Sequence, residues 1–171
     1  PRWKSLLLVL AERVLARLTD RVVTVSEALK RELAHVYRIC PETRLVVIPL
    51  GLDLGWTERL NAERGRLRKE FGIDPDRLAV GVVGRLTSIK NHDLFLQAAG
   101  ASRVPEARFL IIGDGERRAE LSALSDKLGL DGRVVFTGWQ SDLAKVYADL
   151  DIACLTSRNE GTPLALIEGG A

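Results

Sequence analysis

Apolar and polar positions along this chain follow two rhythms, and their alternation predicts its elements. In "WKSLLLVLAERVLARL" (3–18), Leu7, Leu10, Val14, Leu15 and Leu18 recur at helical spacing, which predicts an amphipathic helix lying on a core. Glu12, Arg13 and Arg17 interrupt the run too early for a membrane span, which needs about 20 apolar residues. Contact with a membrane surface is the alternative reading of this helix. "RVVTVS" (21–26) then reads as a strand, "SEALKRELAHVY" as a helix capped by Ser26, and "RLVVIPLG" (44–51) as a second buried strand. Residues 1–51 are thus α-β-α-β, expected to be the tail of a larger unit. Residues 52–77 are charged, contain no strand pattern and read as a linker carrying a short basic helix near 58–70. From residue 78 a second series begins. Strands are expected at 78–84, 108–115, 133–138 and 151–157, separated by "NHDLFLQAAGA", "ERRAELSALSDKLGL" and "SDLAKVYADL" as helices. The fold class is therefore α/β, with a Rossmann-like parallel sheet over 78–171.

Four strands of that kind, taken in chain order, are expected to lie in space as 3-2-1-4. The loop after the first strand then stands beside the loop after the fourth, where the order reverses and ligands bind. The first of these loops, "GRLTSIKN", carries Arg85 and Lys90; the other, "SRNEGTP", carries Glu160. Cations suit phosphates and a carboxylate suits hydroxyl groups, which together outline a nucleotide-sugar pocket. Beyond Glu160, Thr162 is expected to cap a helix through its hydroxyl, with Pro163 as the first helical residue and Glu168 inside it.

Composition narrows the partners. Of 25 basic and 23 acidic residues, positions 1–70 hold 14 and 9, leaving 11 and 14 for the rest. This mild asymmetry reads as a solvated face, with an anionic partner or membrane surface near the first segment as the alternative; no nucleic-acid partner is expected. Cys40 and Cys154 fall in no metal or redox spacing, so a reduced, cytoplasmic setting is expected, with attachment to the inner membrane face as its variant. His35 and His92 are expected to be structural.

The segments "VIPLGLD", "VGRLTSIKN", "FLIIGDGERR", "VVFTGW" and "TSRNEGTPLALIEGGA", in this order and spacing, resemble the retaining glycosyltransferases of family 4. That family has the GT-B fold, two facing Rossmann-like domains. The resemblance implies that residues 78–171 are the donor domain, incomplete at its C-terminal end, and that 1–51 close the acceptor-side domain. It also implies a catalytic set of Arg85 and Lys90, which stabilise the leaving diphosphate without a metal or cofactor, and Glu160, which meets hydroxyls of the donor sugar. Glu168, eight positions on, would accept from the ribose. Gly84 would leave room beside the phosphates, Trp139 would stack on the base unless it is a turn residue half-buried for packing, and Gly161, Thr162, Pro163 and Leu164 would form the backbone wall, donors coming from all but Pro163. The acceptor, whether glycan, lipid-linked or a small molecule, is not set by these residues.

Departures from the family pattern shape the remaining expectations. The usual "EAMA" ending is "EGGA" here, placing two glycines in a helix at up to about 1 kcal/mol each. A strand at 151–157 without its usual neighbour would offer an open edge, so self-association, or recruitment of 21–26 or 44–49 to cover it, is expected. The donor half alone is expected to be inactive. A module that binds a nucleotide or sugar phosphate without turnover is the rival function, and an empty, degenerate α/β module is a third.

Overall fold

The computed structural model describes residues 2–171, with side chains from Leu6 onward. The chain forms two compact units, Pro1–Leu52 and Asp53–Ala171.

In the first unit, helix α1 (Arg2–Arg17) leads into strand β1 (Val22–Thr24), helix α2 (Glu27–Arg31) and strand β2 (Leu45–Val47). Ser26 caps α2 as expected, its Oγ accepting from the Leu29 N–H at 3.2 Å. A π-turn, Glu32–Val36, continues α2. The two strands run parallel with Val22 opposite Leu45, over a small core of Ala16, Ile39, Cys40 and Leu45. The apolar stripe of α1 does not lie on that core. Val9 and Ala16 dock instead, and Arg13 between them donates to the Tyr37 carbonyl at 2.6 Å. Those three positions share one face at i, i+4 and i+7, roughly opposite the stripe. Leu7, Leu10, Val14, Leu15 and Leu18 are accordingly exposed, Leu18 at 79%.

The second unit opens with short helices α3 (Leu60–Glu63) and α4 (Arg66–Glu70). Then come β3 (Ala79–Val83), α5 (His92–Ala101), β4 (Arg108–Ile112), α6 (Arg118–Lys127), β5 (Val134–Gly138), α7 (Leu143–Tyr147), β6 (Ile152–Cys154) and α8 (Leu164–Gly169). The four strands are all parallel, in the order β5-β4-β3-β6, which is the expected 3-2-1-4. β3 and β4 are buried on both faces, as a parallel sheet flanked by helices requires. One core layer gathers Val80, Val82, Phe95, Leu96, Phe109, Ile111 and Leu121; the other gathers Leu67, Ala79, Leu110, Ile112 and Val146.

Residues 53–77 fold with the second unit, and one guanidinium makes many of the ties. Arg68 is buried and donates to the carbonyls of Asp149, Asp74, Pro75 and Arg77 at 2.7 to 3.3 Å and to Asp151 Oδ2 at 2.7 Å. Asp149, also buried, accepts from the Gly65 and Arg68 N–H groups at 2.5 and 2.9 Å, satisfying donors at the start of α4.

β6 is shorter than the sequence suggests. It pairs with β3 alone among the described residues, and Ile152 is 45% exposed. Of the segments expected to be recruited to its edge, 21–26 and 44–49, residues 22–24 and 45–47 pair with each other within the first unit. Among the described residues, no helix is long and apolar enough to cross a membrane.

Candidate functional site at the carboxyl ends of the sheet

Because all four strands are parallel, the loops after β3, β4, β5 and β6 share one edge of the sheet. Backbone hydrogen bonds zip them together. Gly84 N–H donates to the Ile112 carbonyl at 2.9 Å, Gly113 N–H to Gly138 at 2.9 Å, and Leu86 N–H to Asp114 at 3.0 Å. Gly113 permits this closeness. Its φ is 137°, and a Cβ there would stand 2.1 Å from the Gly84 carbonyl oxygen, so no other residue fits. Gly84, Arg85, Gly113, Asp114, Trp139 and Gln140 line a cavity of about 380 Å³ over these strand ends. Trp139 is 74% exposed and so mostly open to solvent rather than packed in the core.

The expected meeting of the first and fourth loops is observed. Lys90 Nζ donates to Glu160 Oε1 at 2.5 Å. Two further hydrogen bonds hold the same loops: the Arg158 N–H donates to the Ile89 carbonyl at 2.9 Å and the Thr156 hydroxyl to the Lys90 carbonyl at 3.1 Å. Burial opposes ionisation of Glu160, but the hydrogen bond of Lys90, the nearby Ser157 hydroxyl and the Lys90 charge together outweigh it and hold the carboxyl below its ordinary range. Lys90 and Glu160 border the cavity loops without lining the cavity, which on this side is walled by Gly84 and Arg85.

The turn before α8 differs in detail from expectation. Pro163, at φ −78° and ψ 69°, occupies the cap position itself, and α8 begins at Leu164. The Thr162 hydroxyl caps nothing; its carbonyl instead accepts from the Leu164 N–H at 2.9 Å. That N–H is therefore engaged within the turn, which leaves Gly161 and Thr162 as the backbone donors of the expected wall.

Glu168 is half-buried on α8 and accepts from the Tyr147 phenol at 2.9 Å. Neither Tyr147 nor Trp56, whose ring stacks on it with centroids 5.5 Å apart, stands out in the sequence. The structure also explains Gly169. A Cβ there would meet Ala153 Cβ at 2.9 Å and the Tyr147 ring at 3.4 Å, so the glycine lets α8 lie close on β6. The helix-propensity cost anticipated for this residue is offset by that contact. His92 begins α5 and is fully buried, as a structural residue would be; Cys40 and Cys154 are free thiols.

Comparison with known proteins agrees with this architecture. Residues 63–171 match the family model described as Glycosyl transferases group 1, and residues 1–56 match Glycosyltransferase Family 4. D-inositol 3-phosphate glycosyltransferase of Mycobacterium sp. (strain KMS) is 32% identical over 159 residues, covering 89% of this chain and 35% of that protein. 2-deoxystreptamine glucosyltransferase of Streptomyces kanamyceticus is 32% identical over 148 residues, covering 84% and 36% respectively. The chain thus spans about a third of the length of these curated relatives. Among solved structures, Anabaena Alr3699/HepE in complex with UDP and glucose superimposes with a TM-score of 0.78 at 21% identity, covering 94% of this chain and 46% of that one.

Proposed function

The chain belongs to the group 1 glycosyl transferases, and from that premise we propose that residues 78–171 hold a nucleotide-sugar donor for a retaining hexosyl transfer. The observation that carries this reading is the junction of the β3 and β6 loops. Lys90 and Glu160 meet at 2.5 Å beside the cavity that Gly84, Arg85 and Trp139 line. Residues 1–51 then belong to the acceptor-side domain, joined through 52–77.

In this reading the base stacks on Trp139 and the diphosphate lies by Gly84, where Arg85 and Lys90 face it. A departing nucleoside diphosphate gathers negative charge, so fixed cations act most strongly in the transition state and need no metal to do so. Without donor, Lys90 is neutralised by Glu160. A diphosphate that takes Lys90 releases Glu160 to accept from a sugar hydroxyl near the reacting carbon. Gly161 and Thr162 offer N–H groups to the same ligand, and Glu168 takes the ribose. Support for a cytoplasmic setting comes from the two free thiols.

Titration with UDP-, GDP- and ADP-sugars, followed by the amide resonances of residues 84–91 and 157–168, tests the proposal. One of the three is expected to shift both segments. Glu168→Ala should weaken nucleotide and nucleotide-sugar alike, whereas Glu160→Ala should weaken only the sugar-bearing ligand. Silence with all three donors, or equal losses in both variants for both ligands, would refute it.

A further inference from the structure

We propose that Tyr147 is a positioning residue for the nucleoside: its phenol fixes the Glu168 carboxylate for the ribose, and Trp56 fixes the phenol. The inference rests on the reading of Glu168 as the ribose acceptor given above.

Tyr147 ends α7, and its hydroxyl lies 2.9 Å from Glu168 Oε2 and 3.2 Å from the Ala165 carbonyl. A phenol has one proton to give. The nearer acceptor is charged and takes it, because a charge-assisted hydrogen bond is about twice as strong as a neutral one. Burial first, then the hydrogen bond and charge of Glu168, push the Tyr147 phenol above its ordinary range, so it remains a neutral donor whenever the protein is folded near neutrality.

Held through one oxygen, the Glu168 carboxylate turns its other oxygen to a ligand hydroxyl. An unanchored glutamate would have to give up its rotamer freedom on binding instead. The anchor is itself rigid. Trp56 stacks on the Tyr147 ring with an interplanar angle of 23°, and the absence of a Cβ at Gly169 lets the ring edge and α8 pack together. Trp56 lies in the segment between the two α/β series. The linker therefore supports the nucleoside end of the donor, a role separate from joining domains.

Tyr147→Phe keeps the ring, its stack and its contact with Gly169, and removes the hydroxyl alone. Calorimetric titration of the full chain with UDP, GDP and ADP identifies a binding nucleotide, which is then compared with its 2′,3′-dideoxy counterpart. Tyr147→Phe is expected to weaken the ribonucleotide about three- to tenfold, the equivalent of one side chain left to be ordered on binding. It should leave the dideoxy ligand unaffected. In a Glu168→Ala background the same change should cost nothing. Unchanged ribonucleotide affinity, or equal losses for ribo and dideoxy ligands, would overturn the positioning role while leaving the donor reading intact. Absence of binding by all three nucleotides to the wild-type chain would overturn both.

Discussion

His92 should make the second unit lose stability in mild acid. Its imidazole is fully buried at the start of α5, and neither ring nitrogen has a hydrogen-bond partner among the described residues. Burial, aided by the positive charges of Arg117 and Lys90 and opposed by Asp93, pushes its pKa down from 6.5 to about 4. Below pH 6.5 the unfolded chain therefore takes up a proton that the folded chain refuses. Stability falls as pH falls through the window from about 6.5 to 4. One pH unit below the unfolded value, at pH 5.5, the loss is about 1.4 kcal/mol, since each unit of difference is worth about 1.36 kcal/mol. Asp93 and Asp142, held below their ordinary value of 3.8, lose their contribution only at more acid pH. The window from pH 8 to 5.5 thus isolates the histidine. Urea denaturation followed at the Val82 and Ile111 amides measures it in the right unit. His92→Leu should flatten the dependence and raise stability at pH 7.5 by about 1 kcal/mol or more, because two orphaned polar atoms leave the core. A His92→Leu variant that still loses 1.4 kcal/mol between pH 8 and 5.5 would refute the assignment.

Two further outcomes follow from packing. Arg68→Met should destabilise the second unit by about 2–4 kcal/mol, since it strips partners from Asp151 and four carbonyls at once; thermal unfolding of that unit measures this. Gly113→Ala should cost about 3 kcal/mol or more and shift the amides of Gly84–Leu86, because its Cβ has no room beside the Gly84 carbonyl; unchanged amide positions would contradict that geometry.

The sequence carries the sheet plainly because β3 and β4 are continuous apolar runs of the length a buried parallel strand needs, and turn residues bound them. Their order follows from a topological rule, and it brings Lys90 to Glu160 without any knowledge of coordinates. Orientation is harder to read. The α1 leucines have the right period, but periodicity identifies a stripe and not the neighbour it meets; here Val9, Arg13 and Ala16 make the contact. The turn at Pro163 misleads for a different reason. Proline suits a first helical residue, yet its ψ of 69° places it before the helix and leaves the Thr162 hydroxyl unused. Tyr147 is invisible in sequence because its role depends on how closely α8 approaches β6. That approach depends on a missing Cβ at Gly169, which read along the chain is only a poor helix former.

The contacts of Arg68 also decide where this chain can be recombined with others. Its guanidinium gathers carbonyls on both sides of the Asp74–Arg77 turn and a carboxylate from the start of β6, more than 80 positions away. A donor-domain graft joined at residue 78 would carry Asp149 and Asp151 into a new host without the arginine that they serve. A junction between Leu52 and Asp53 transfers the complete set, and Trp56 with it. Domain exchange between relatives should therefore give folded chimeras at the earlier seam and insoluble ones at the later.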